Sequence, residues 1–262
     1  MSPHNLYTRE MYNRFGFVAN WPPAAPLQLG MIGVMEQNVF VPRSSLSETS
    51  VRIPFNVTEE GAKQDISYRS SSSIDVLFKA RGTPVPPDSA LVEAKAGVVI
   101  DFKGKSGVLF EARECVMPVI ADQLSLGDTI IDRYRSGHWA KNWVVVTQII
   151  KADSIAVLIS GNNGGRLELT AESDLQLGSL PLANAALNLK CVRSFSMHTE
   201  ILGHKGAAPL FRVSGIKPRW FRRPIFGIRL AQDADDRSPA DTPRDELDFG
   251  PLDLKFDTEE AS

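Results

Sequence analysis

The residues best suited to chemistry are few and scattered. The histidines are His4, His138, His198 and His204. No two have the i, i+4 spacing that puts a pair of zinc ligands on one helical face, and His198 and His204 flank a predicted turn between strands. Cys115 and Cys191 form no CxxC and are too few for a disulfide framework, so they are expected as free thiols. The glycines of GNNGG (161–165) lack the Lys-Ser/Thr of a phosphate loop, and no G-x-S-x-G elbow is present. A serine nucleophile needs no sequence neighbour, but no motif marks one. The expectation is a non-enzyme without cofactor or metal. The exception in chemical character is KPRWFRR, with Lys217, Arg219, Arg222 and Arg223 around Trp220 and Phe221. Such a patch can bind phosphate and stack bases, attract anionic lipid, or be a solvated corner whose aromatics face the core.

The elements that must carry these residues are mostly strands. A short helix is predicted over Asn5–Arg14, ended by Gly16. Pro22, Pro23 and Pro26 then keep the backbone extended. Met31–Met35 and Val39–Val41 predict a hairpin turning at Gln37-Asn38. The polar stretch Ser44–Ser73 holds short apolar pieces (Val51, Ile53, Phe55, Val57) and a four-serine run, of which the serines are expected as loop. SIDVLFKA alternates, and LVEAKAGVVIDF places Val92, Ala94, Ala96, Val98, Ile100 and Phe102 on one face. After KGKSG, Val108, Phe110 and Ala112 resume the alternation, which predicts a long amphipathic hairpin. Strands of this length can cross a bilayer with alternate residues toward lipid, or pack one face of a soluble sheet.

The period changes over Val119–Arg135, where Ile120, Leu124, Ile131 and Tyr134 suit one helical face and Gly127-Asp128 a break or a new cap. NWVVVTQIIK, IAVLIS and RLELTAE predict a three-strand meander turning at ADS and GNNGG. Val192–Leu202, Leu210–Ile216 and Ile225–Leu230 complete the strands. Together they predict an α+β fold: a twisted, largely antiparallel β-sheet with a few peripheral helices and a short C-terminal tail peptide.

Charge divides the chain in two. Residues 232–262 hold eleven acidic against three basic residues, a charge of −8, whereas 1–231 hold twenty against twenty-six, or +6. The expected organisation is a body, 1–231, followed by an acidic linker and tail peptide, 232–262. Within the tail, Leu247, Phe249, Leu252, Leu254 and Phe256 form a short apolar series able to dock on the body. MSPHNLYTREMYNR contains no apolar signal core, and no run approaches the ~18 apolar residues of a spanning helix, so a cytoplasmic protein is expected.

The order of elements, with VVVTQIIKADSIAVLIS, APLFRVSGI and the fainter PLQLGMIGVMEQNVFVPRSSL, resembles the bacterial gasdermins across most of 10–256. Members commonly carry a lipid-modified cysteine within the first few residues; this chain has Ser2, Pro3 and His4 there, so acylation is not implied. The resemblance implies an autoinhibited pore-forming protein of antiphage defence, monomeric and cytoplasmic until a protease removes the C-terminal peptide. It would then oligomerise in the cell inner membrane and kill the cell. It also implies insertion through the hairpin residues named above, lipid contact through Lys217, Arg219, Arg222 and Arg223, and inhibition through Leu247, Phe249, Leu252, Leu254 and Phe256. The partners are an activating protease, membrane lipid and further copies of the chain, without nucleic acid. The competing reading is a soluble β-rich module whose acidic tail masks a basic nucleic-acid or protein-binding surface.

Overall fold

Local signals close to the backbone decide the first elements. In the computed structural model, helix α1 (Pro3–Phe15) begins with Pro near its N-terminus and ends where Gly16 turns left-handed, its N–H returning to Tyr12 O at 2.8 Å. Strands β1 (Val18–Ala19), β2 (Met31–Glu36) and β3 (Val39–Ser45) follow, and Gln37 and Asn38 both take positive φ in the β2–β3 turn. The structure describes residues 2–48, 50–70, 74–80, 83–104, 106–161, 164–171, 182–185, 189–218, 247–252, 254 and 256.

The remaining elements are β4 (Val57–Arg69), β5 (Ile74–Lys79), β6 (Gly97–Phe102), β7 (Val108–Ile120), α2 (Gln123–Arg135), β8 (Val144–Ser160), β9 (Gly165–Ala171), α3 (Leu182–Ala185), β10 (Leu189–Phe195), β11 (Met197–Pro218) and β12 (Leu247–Pro251). Among the described residues every strand pairing is antiparallel, so the α+β fold with a largely antiparallel sheet is as expected. An eight-stranded sheet is built around β8. It has β11 along one edge; its other edge takes β2 near Val144 and β7 from Gln148 to Ile159. The smaller sheet runs β10-β9-β6-β5.

The β7–β8 centre of the larger sheet is buried on both faces. Leu6, Tyr7 and Met11 of α1 cover Val108, Phe110, Ala112, Ile155, Val157 and Ile159. The smaller sheet covers the opposite face, where Val98, Ile100, Phe102, Leu167 and Leu169 meet Leu109, Ala156 and Leu158. α2 packs Leu126 and Ile130 against Ile32 and Val145.

Several expectations are corrected. β6 and β7 are not a hairpin: β6 pairs with β5 and β9 in the smaller sheet, while β7 pairs with β4 and β8 in the larger. Alternation identifies a face but not a partner, and between Phe102 and Val108 the chain passes from one sheet to the other instead of returning. Val92 and Ala94 lie in turns, Ala94 N–H bonding to Leu91 O at 3.0 Å, with Val92 54% exposed. No strand is predicted over the apolar pieces between Ser44 and Ser73, yet β4 lies there; its solvent-facing polar residues (Lys63, Asp65, Ser67) hide its period and suit an edge strand. The ADS turn is absent, because Ala152-Asp153-Ser154 lie within one strand, β8. β9 follows the Gly161–Gly164 bridge but pairs in the other sheet. β11 runs continuously through Gly203. α2 starts at Gln123, capped by Asp122, which shifts the buried face to Leu126, Ile130 and Ile131; Leu124 is 84% exposed and Gly127 lies inside the helix. The strand expected over Ile225–Leu230 lies outside the described residues.

Candidate functional site

Two arrangements stand out, one at the C-terminal segment and one where the sheets fold together. β12 adds to the free edge of β11, with Ser214 opposite Pro251, Ile216 opposite Phe249 and Pro218 opposite Leu247. Strand alternation sends Leu247 and Phe249 to one face, against the cluster of α2 and Ile216. Phe249 sits on Gly127: a Cβ at that glycine would stand 2.9 Å from Phe249 Cβ. Beyond the strand, Leu252 N–H donates to Val213 O at 3.2 Å, and Leu252 and Leu254 pack against the cluster of Val18, Phe211 and Val213. The Phe256 ring meets that of Tyr12 with centroids 5.7 Å apart. All five apolar tail residues are therefore docked, and they bridge two cores plus α1. Lys217 faces Asp248 across the ladder and donates from Nζ to Pro251 O at 3.4 Å. Arg219, Arg222 and Arg223, like the 232–246 linker, lie outside the described residues.

The second arrangement is a ribbon folded back on itself. Neighbours in the larger sheet, β4-β7-β8-β11, continue along the chain into β5, β6, β9 and β10, which keep the same order in the smaller sheet. From Val108↔Ile159 to Phe102↔Gly165 is six residues on each strand, so the β7–β8 and β6–β9 ladders share one register. The bend between them is rich in glycine. Gly104 and Gly164 have φ of +114° and +80°, Gly161 bridges to Gly164, and a Cβ on Gly164 would approach Phe102 O to 2.3 Å. Gly107 and Ser160 fasten the bend from the larger sheet, Ser160 Oγ accepting from Gly107 N–H at 2.8 Å.

Of the predicted inserting residues, the structure groups Ala96, Val98, Ile100 and Phe102 in one core and Val108, Phe110 and Ala112 in the other. It does not bring the two sets to one face. The period-two pattern nevertheless stays in phase through the bend, since all are even positions. The partner strands behave alike: Ile155, Val157 and Ile159 share a core with Val108, whereas Leu167, Leu169 and Ala171 lie with Val98.

Among the described residues no group of three or more His, Cys, Asp or Glu could hold a metal ion. Burial pushes the Cys115 thiol up to about 12, and burial followed by Glu200 also raises Cys191, so neither is a thiolate nucleophile at neutral pH. No described helix is long and apolar enough to cross a membrane, which says nothing of crossing by strands. Sequence reasoning missed Glu168, buried on β9 against the 88–92 loop; a polar residue in an alternating strand carries no signal that separates burial from solvent exposure. No protein-family model matches the chain, and no curated protein matches it.

Proposed function

We propose that the chain is a gasdermin-like pore-forming effector held inactive by its C-terminal segment and released by proteolysis to kill its own cell in antiphage defence. The observation that carries this reading is the phase of the alternation across the fold-back. Folded, Phe102 and Leu109 share a core while Val108 lies on the opposite face. The sequence is therefore written for a straight ribbon, in which Val98 through Ala112 and Ile155 through Ala171 would present one apolar face. Asp101, Lys103, Glu111, Arg113, Arg166 and Glu168 would then occupy the other. That is the division a transmembrane barrel needs, apolar toward lipid and polar toward the lumen.

Straightening supplies length as well. Residues 57–79, 97–120, 144–171 and 189–218 would each exceed the roughly 9–11 residues of a crossing strand. Ribbons from many copies must close, because open strand edges leave backbone N–H and C=O groups unpaired in lipid. The docked tail acts as the gate: it completes the edge of β11 and fills apolar positions beside α2 and Tyr12. A protease cutting within Gln232–Glu246 would let most of the acidic tail leave the basic body, which can then approach anionic lipid.

Expressing residues 1–240 beside the full chain tests this. The short form should be toxic and should release dye from anionic liposomes, while the full chain does neither. A harmless truncation that gains DNA or RNA binding would instead favour the masked binding module.

A further inference from the structure

The outer face of the smaller sheet carries a buried charged cluster that a stable soluble sheet does not require. Glu168 is 0% exposed and Lys79 4%. Glu168 Oε2 accepts from Ala90 N–H at 2.6 Å and from Ser89 Oγ at 3.2 Å, while its Oε1 stands 2.8 Å from Arg166 Nε. Arg166 Nη1 in turn contacts Asp88 Oδ2 at 3.0 Å, and Arg193 Nη1 donates to Asp88 O at 2.6 Å. Lys79 Nζ donates to Leu91 O and, at 2.8 Å, to Val92 O. Leu91 is itself fully buried and lies over Gly97, where a Cβ would meet it at 2.8 Å.

These contacts have a direction. The 88–92 segment connects β5 to β6, yet Glu168 and Arg166 belong to β9 and Arg193 to β10. The loop at the tip of one strand pair is thus strapped across the other. Buried ion pairs contribute little net stability, because desolvation offsets their attraction, but removing one partner leaves the other charge buried and unpaired. The same charges would regain water on the lumen side of an open ribbon.

We infer that Glu168 is the bolt of a second lock, separate from the tail: it clasps the 88–92 loop and keeps the smaller sheet closed after the C-terminal segment has gone. Its role in activation rests on the pore reading; the clasp itself does not. Cleavage of the linker would then arm the protein without opening it, and opening would follow only when the loop lifts from β9.

Hydrogen exchange on the intact, full-length chain tests the lock without reference to pores. In Glu168→Gln, the Ala90 and Leu91 amides and those of β6 and β9 should exchange about tenfold faster. Amides of β8 paired to β11 should be unchanged, which also reports that the variant folds. Ser89→Ala, which keeps the Glu168 carboxylate but loses the hydroxyl's bonds to Glu168 Oε2 and from Leu91 N–H, should give a smaller rise in β6 and β9. Unchanged exchange in β6 and β9 of Glu168→Gln would overturn the proposal. In liposomes, the linker-cut Glu168→Gln protein should leak faster than cut wild type, and an equal rate would also overturn it. If exchange rises as expected but no cut protein leaks, wild type included, the pore reading fails and not the clasp.

Discussion

Replacing Phe249, Leu252 and Leu254 together by Asp should activate the full-length chain without any cleavage. Each side chain is half-buried, Phe249 on Gly127 and the leucines beside Val213. Partial burial of such residues stabilises docking by about 1–1.5 kcal/mol each, half the value for complete burial. Losing all three shifts the docked-to-released ratio by roughly two to three orders of magnitude, before the cost of placing carboxylates on an apolar surface. Dye release by the uncut variant measures the effect, and a variant as silent as wild type would sink the inhibitory role of the tail.

Gly164→Ala should make the protein less stable and more active at once. The glycine has φ of +80°, which costs an alanine about 1–2 kcal/mol, and the new Cβ would lie 2.3 Å from Phe102 O and 3.0 Å from Gly104 O. Both penalties belong to the fold-back only. A straight strand accepts any side chain there. The folded body should lose about 2–4 kcal/mol, or about 5–15 °C in Tm for a domain of this size, while the cut protein should leak faster than cut wild type. Gly61→Ala separates the two contributions: φ is +89° there, but nothing lies within 4 Å of the added carbon, so it should lower Tm less and leave leakage unchanged. A Gly164→Ala protein that leaks more slowly would contradict a fold-back that opens.

Features set by neighbouring residues were legible in the sequence. Gly16 ends α1, Gln37-Asn38 make the β2–β3 turn, and the tail apolar series docks as its composition suggested. Partner choice was not legible. Alternation in 97–102 and 108–112 gave the faces, but whether KGKSG returns or bends a chain depends on β9 and β4 arriving beside the two strands. β4 escaped notice because its outward residues are polar. Continuity of β8 through Asp153 depends on β7 and β11 flanking it, with Arg113 and Lys205 opposite Ser154. The clasp was hidden for a related reason: Lys79, Asp88 and Glu168 are far apart in sequence, and only the tertiary fold buries two of them together.

The most direct measurement follows the phase of the ribbon itself. Single cysteines at positions 98–102 and 108–112, in an otherwise cysteine-free chain, would each carry a polarity-sensitive fluorophore. The linker is then cut on liposomes containing a lipid-borne quencher. The account predicts lipid contact at Val98, Ile100, Phe102, Val108, Phe110 and Ala112, and aqueous signals at Val99, Asp101, Leu109 and Glu111, in one unbroken alternation. A pattern in which Phe102 and Leu109 respond alike while Val108 differs, as in the folded body, would contradict it, as would the absence of lipid contact at every position.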